Sequence, residues 1–246
     1  IHVNGKPDPV SDFNDINTEL ILSDITTLES ITNRITKSKT SEKEKNLLKE
    51  EAIKALDKLN NNKFLQKKDL EKVQEFFPDI KLLTQKPMFV IANINENTSK
   101  QEINDFIKSM PENIKLVEVN VKVEIDLDEL SEDEKKEFME EFGIDESALS
   151  KIIKTGYSLL DLKTFFTSGE KESRAWAAKK YFNAQECSGI IHTDIQKGFI
   201  RAETVSYDDY IESGSEQASK ANGVWRQEGK DYIVCEGDVI YFRFNI

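Results

Sequence analysis

The residues best placed to do chemistry are Asn93-Ile94-Asn95-Glu96, which follow the apolar run Pro87-Met88-Phe89-Val90-Ile91-Ala92. An amide and a carboxylate at the end of a buried parallel strand can hydrogen-bond the edge of a heterocyclic base, because open α/β sheets bind ligands there. Location alone leaves an ordinary polar loop as the alternative. No Gly-x-x-x-x-Gly-Lys-Ser/Thr occurs in the 246 residues. The chain therefore offers no phosphate-cradling loop, no lysine for terminal phosphates and no hydroxyl for Mg²⁺. Phosphoryl transfer rests on those parts, so no catalytic residue is expected here.

Other constellations are weaker. His192-Thr193-Asp194 has some of the residue types of a catalytic triad, but neighbours in sequence do not thereby acquire triad geometry, and a structural turn is the favoured reading. His2, His192, Cys187 and Cys235 match no metal-ligand spacing, so no metal site is expected. Either cysteine could respond to redox state, with a buried inert thiol as the favoured alternative. Trp176 and Trp225 read as core or docking aromatics rather than stacking platforms.

The elements that would position these residues can be read from periodicity. From Ile16 to Lys37, Ile21, Ile25, Leu28, Ile31 and Ile35 share one helical face. After Ser38-Lys39-Thr40, the capping box Ser41-x-x-Glu44 opens a second amphipathic helix carrying Leu48, Ala52, Ala55, Leu56 and Leu59. The two should form an antiparallel hairpin that serves mainly as packing scaffold. A short helix over Lys68 to Phe77 follows. Pro87 to Ala92 reads as a strand buried on both faces, Ser99-x-x-Glu102 as the start of a helix ending at Pro111, and Lys115 to Val121 as a second parallel strand. Ser131-x-x-Glu134 opens an acidic helix, and Asp145 to Leu160 reads as another. Beyond Leu162 the signals are short strands (164–168, 174–178, 199–205, 232–235 and 239–244) with one helix over Tyr207 to Ala221. Glu236-Gly237-Asp238 suggests a hairpin between the last two strands. The block Gly5-Lys6-Pro7-Asp8-Pro9 reads as a loop.

A formal net charge of −12 argues against holding free DNA or RNA through the global field, although a local basic patch could contact ribosomal RNA. No apolar run approaches the roughly 18 to 20 residues that span a bilayer, so no membrane association is expected. Two cysteines make no disulfide framework, and a reducing, cytoplasmic setting is the default. Ile1-His2-Val3-Asn4-Gly5 has no initiator Met or signal-peptide pattern and reads as a mid-protein start.

The runs Asp15 to Leu20, Leu82 to Pro87 and Ala92 to Glu96 are similar, in order and spacing, to those of the YchF family of Obg-related P-loop nucleotide hydrolases. The last third resembles that family more closely still. Phe165 to Gly169, Arg174-Ala175-Trp176, Ile191 to Asp194, Lys197 to Glu203 and Phe242 to Ile246 carry this resemblance. It implies part of a P-loop α/β domain with an inserted helical hairpin, then a ubiquitin-like β-grasp TGS domain. The implied division is a linker over 1–14, the helical insertion over 15–81, the second half of the nucleotide domain over 82–162 and the TGS domain over 163–246.

The resemblance implies that Asn93, Ile94 and Glu96 stand where ordinary GTPases read Asn-Lys-x-Asp. Ile94 replaces the Lys with an apolar lid, and Glu96 replaces the Asp that grips guanine. Adenine offers an acceptor where guanine offers donors, so loss of that fork suits ATP over GTP. Asn120-Val121-Lys122 lies at the position of the second base-side loop, where Ser-Ala-Lys is usual. The departure at Asn120 and Val121 leaves base contact and an ordinary strand end as alternatives, with the Val121 amide still able to face a base. ATP or GTP with Mg²⁺ is the implied cofactor of the parent protein, bound only weakly by this chain. The ribosome, reached through the TGS domain, is the implied partner. A non-enzymatic RNA- or protein-binding module is the alternative, favoured if a basic, aromatic face includes Lys179, Lys180, Arg201 or Arg226. A truncated sheet should leave the Phe89-Val90-Ile91 strand as an apolar edge that promotes self-association.

Overall fold

The computed structural model describes residues 7–169 and 172–245. The N-terminal Ile1 to Lys6, with the mid-protein start and the first two residues of the Gly5 to Pro9 loop reading, lies outside the described residues, as does Ile246. Two compact units divide between Phe138 and Met139.

The first unit opens with helix α1 (Pro9–Lys37), followed by α2 (Glu42–Asn60). Helix α1 starts well before Ile16. Asp8 accepts the Ser11 amide at 3.1 Å and Pro9 sits at the first helical turn, where its missing N–H costs nothing. Residues 9–14 are therefore helix, which corrects the linker expected over 1–14. Leu28, Ile31 and Ile35 of α1 pack with Leu48, Ala52, Ala55 and Leu59 of α2, so the predicted seams meet in one core. Leu65, Leu70, Val73, Ile80 and Leu82 close that core through a 3₁₀ turn (Lys67–Asp69) and α3 (Glu71–Phe76). Glu51 on α2 accepts the Val73 amide at 2.8 Å, capping α3 from outside. Asp24, 1% exposed, accepts from the Leu83 and Thr84 amides and the Thr84 hydroxyl at 2.8, 2.8 and 2.7 Å. That carboxylate ties α1 to the segment leading into the sheet.

Strands β1 (Phe89–Asn93) and β2 (Lys115–Val119) pair in parallel, with α4 (Lys100–Ser109) between them in sequence. The capping box at Ser99 and Glu102 is complete. Strand β1 is not buried on both faces: Ile91 is 49% exposed, because among the described residues the sheet has only these two strands. Strand β2 also ends sooner than expected. Asn120 leaves the strand to cap α5 (Val121–Asp128), a helix the periodicity did not predict, by accepting the Val123 amide at 3.3 Å. The unit boundary falls inside α6 (Glu132–Glu141).

The second unit contains α7 (Ala148–Leu159) and a five-stranded sheet in the order β4-β3-β7-β5-β6. Its strands are β3 (Leu162–Ser168), β4 (Ser173–Lys179), β5 (Phe199–Ser206), β6 (Arg226–Glu228) and β7 (Asp238–Phe244). Helix α7 therefore groups with this sheet, not with 82–138 as a boundary at 162 would have it. Strands β3 and β7 are parallel and the other pairs antiparallel. Helices α8 (Ala184–Ile191) and α9 (Thr193–Lys197) follow β4, and Ala184, Cys187, Ile190, Ile191 and Ile195 pack with Phe165, Ala202, Ile240 and Phe242.

Three expectations for this unit change. The helix over Tyr207 to Ala221 is two, α10 (Tyr207–Ser213) and α11 (Glu216–Ala221), separated at Gly214 with φ +78°. Tyr232 to Cys235 is not a strand and makes no hairpin with β7. Asp238 instead accepts both the Tyr232 hydroxyl and the Cys235 amide at 2.8 Å, closing a tight turn. Strand β6 pairs with β5 in its place. A glycine is required at 198, where an added Cβ would lie 2.0 Å from the Asn245 carbonyl oxygen.

Candidate functional site at the ends of two parallel strands

Asn93 and Val119 are register partners at the carboxyl ends of β1 and β2, so the loops that follow leave the sheet side by side. Ile94 fixes that proximity by donating its backbone N–H to the Val119 carbonyl at 2.8 Å. The Asn93 and Glu96 side chains remain exposed, while Ile94 is partly buried. Asn95 shapes the loop: its side chain accepts the Asn97 amide at 2.9 Å, and its own amide is donated to the Thr98 hydroxyl at 3.1 Å. This is an Asx-type turn, which holds the backbone without using Asn93 or Glu96. Glu96 makes no hydrogen bond or ion pair with the described residues, so its carboxylate is available to a ligand.

Across the gap, Asn120 spends its side-chain oxygen on capping α5. Val121 and Lys122 form the exposed first turn of that helix. The structure thus brings together all six residues singled out from the sequence, Asn93, Ile94, Glu96, Asn120, Val121 and Lys122, on one end of the sheet. It gives Asn120 a local structural task. The amides of the first helical turn lack intrahelical partners, so the Val121 N–H is of the type that can meet an acceptor on a base.

The remaining sequence candidates lie elsewhere in the second unit. His192 caps α9 by accepting the Asp194 amide on Nδ1 at 3.2 Å, and this is a turn, not a triad. Among the described residues no group of three or more His, Cys, Asp or Glu could hold a metal ion. Cys187 is fully buried, and burial pushes its thiol up to about 11, whereas Cys235 is exposed. Trp176 packs against the core of the sheet and donates to the Thr167 hydroxyl at 2.9 Å.

Sequence reasoning passed over Lys163. It is 3% exposed, and its ammonium donates to the carbonyls of Lys180 and Phe182 at 2.9 and 2.8 Å and to that of Val234. Burial lowers its pKa. Its position within a β-strand gave no signal beyond an interrupted alternation.

No helix of the described residues is long and apolar enough to cross a membrane. Residues 162–245 match the family model YchF-GTPase_C, described as a protein of unknown function (DUF933). The chain is 41% identical over its whole length to the ribosome-binding ATPase YchF of Bacillus subtilis and covers 69% of that protein. It is 40% identical to the Haemophilus influenzae protein of the same name, again covering 69% of it. Among solved structures it is similar to the Schizosaccharomyces pombe YchF GTPase, with a TM-score of 0.79 and 28% identity, over 99% of this chain and 68% of that one. A GTP-binding protein from Pyrococcus horikoshii shares the fold at a TM-score of 0.58 and 17% identity. Identity of this order, over more than two thirds of the relatives' length, shows that the chain belongs to the YchF family.

Proposed function

We propose that this chain is the base-reading and C-terminal portion of a cytoplasmic P-loop hydrolase that prefers ATP to GTP and associates with the ribosome. The observation that carries the reading is the hydrogen bond from Ile94 to Val119. It sets the Asn93–Glu96 loop beside the Asn120–Lys122 turn at the carboxyl end of a parallel pair, where α/β sheets take ligands. Asn93 and Glu96 face outward with the Asx turn at Asn95 holding them in place.

The residues present fit the base side of a nucleotide. Asn93 offers an amide, Ile94 an apolar edge, Glu96 an unengaged carboxylate and the Val121 turn its amide. Bound triphosphate with Mg²⁺ supplies the reacting bond. No residue of this chain forms a phosphate loop, so the chain alone binds nucleotide weakly and does not hydrolyse it. The five-stranded mixed sheet crossed by α8 supports the β-grasp reading of the second unit. Residues 15–81 are assigned as the helical insertion and 163–246 as the TGS domain.

In the full-length protein, Asn93→Ala should raise KM for ATP about tenfold with little change in kcat, as expected for lost uniform binding. An unchanged KM would remove Asn93 from the site. Exposed Ile91 on a strand paired on one side only, among the described residues, supports self-association of the isolated chain. A monodisperse monomer by light scattering would contradict it.

The alternative, a binding module acting without nucleotide, draws on the second unit. Arg201 of the expected basic face lies beside Arg243 and Tyr241 on the sheet.

A further inference from the structure

The segment that carries Asn93 and Glu96 is anchored on both sides to one helix. Ahead of it, Leu82 is buried in the helical core, and the Leu83 and Thr84 amides and the Thr84 hydroxyl donate to Asp24 of α1. Gln85 adds two hydrogen bonds, accepting Gln74 Nε2 at 2.7 Å and donating to the Gln66 carbonyl at 3.1 Å. Residues 85–88 alone separate Thr84 from the start of β1, and Pro87 among them has a fixed φ. Strand β1 therefore leaves the helical core with little slack.

Beyond the loop, α4 opens at the Ser99 and Glu102 capping box. Phe106 of α4 meets Phe13 of α1 edge to face, with ring centres 6.0 Å apart and planes at 90°. Phe13 and Asp24 lie eleven positions apart on α1, about three helical turns or roughly 16 Å, so both point to the same side. Asn17 and Leu20, which fall on that stripe, are half-buried, whereas residues 14–16, 18 and 19 are exposed. The first turns of α1, part of which the sequence suggested as linker, thus form a brace with one contact before β1 and one after the loop.

We propose that Phe13 and Asp24 are positioning residues for base selection: through them α1 fixes both flanks of the Asn93–Glu96 loop and sets where its amide and carboxylate meet the base. A binding group held from both flanks has little freedom left to lose when a ligand arrives, and release of one flank spreads its positions. The inference rests on the base-reading assignment above and adds two residues that act through the loop.

Two readouts separate the brace from that assignment. The first needs no nucleotide. It is amide hydrogen exchange of this chain in a peptide spanning 93–98, which contains the Ile94 N–H bonded to Val119 and the Thr98 N–H bonded to the Asn95 carbonyl. Phe13→Ala should speed that exchange about tenfold, and Phe13→Leu, which keeps an apolar contact for Phe106, should recover most of the protection. Thr84→Val leaves Asp24 both backbone amides and should act in the same direction but less. Ile35→Val trims the helical core at the far end of α1, so it should lower the urea midpoint without changing exchange at 93–98.

The second readout is ATP hydrolysis by the full-length protein. Phe13→Ala should raise KM for ATP about fivefold with little change in kcat and should narrow the preference for ATP over GTP, whereas Ile35→Val should change neither. Exchange at 93–98 that is the same in Phe13→Ala and wild type, or that Ile35→Val raises as much, would overturn the brace. Faster exchange with an unchanged KM in Phe13→Ala, while Asn93→Ala raises KM, would overturn the role in base selection. Faster exchange with KM unchanged in both variants would support the brace and sink the base-reading assignment.

Discussion

The Ile94 amide lies 2.8 Å from the Val119 carbonyl oxygen, a backbone hydrogen bond that joins the two loops at the open end of the parallel pair. Because it is made by backbone atoms, the side chain at 94 is free to change without moving the loops. That separation makes the loop a fair subject for side-chain exchange.

Asp24 should be the most sensitive polar position of the first unit. Asp24→Ala leaves the two buried donors of Thr84 and the partly buried Leu83 amide without an acceptor, at about 1–3 kcal/mol each where water cannot reach. Urea unfolding should show a loss of about 3 kcal/mol or more, and Thr84→Val a smaller one. Equal stability of wild type and Asp24→Ala would mean that water replaces the carboxylate.

Glu203 links the stability of the second unit to acid pH. Its hydrogen bond from Arg243, with a further one from Arg201, outweighs burial and holds its pKa below the ordinary 4.5. The folded state thus favours the carboxylate, and the resulting stability is fully present above about pH 4.5. It is lost as pH falls through the lower folded value. Glu203→Gln should flatten this part of the stability profile, as read by urea midpoints between neutral and acid pH. A wild-type profile parallel to that of the variant would disprove the linkage.

The two thiols should separate by reactivity. Cys235 is exposed and should react with an aromatic disulfide reagent in the native chain. Cys187, buried with its thiol raised to about 11, should react only after unfolding. Two rapid native equivalents would show that the second-unit core opens readily.

Much of this was legible because it is local. The capping pairs Ser99 with Glu102 and Ser131 with Glu134 mark real helix starts, and the Ile21, Leu28, Ile35 seam is buried as its spacing requires. The candidate site was legible in part: the apolar run ending at Ala92 located the loop, but nothing in the local pattern showed that Asn120 caps a helix. Val121 to Asp128 alternates apolar and charged residues, so its period resembles a strand. Asn183 and Glu186 form a complete capping box that would have revealed α8. Tyr232 to Cys235 is no strand because its β-forming residues are held in a turn by a local acceptor, the Asp238 side chain, which residue types alone do not reveal. The arginine pair escaped notice because its two members are brought together only by sheet register.

The measurement closest to the central claim is competition between ATP and GTP for the full-length protein, comparing wild type with the double variant Ile94→Lys, Glu96→Asp. On the proposed reading the variant introduces the lysine and shorter acid of a guanine-reading loop, on a backbone held independently of the side chain at 94. Wild type should favour ATP, and the variant should shift the ratio at least about tenfold towards GTP. An unchanged ratio would show that the Asn93–Glu96 loop does not read the base.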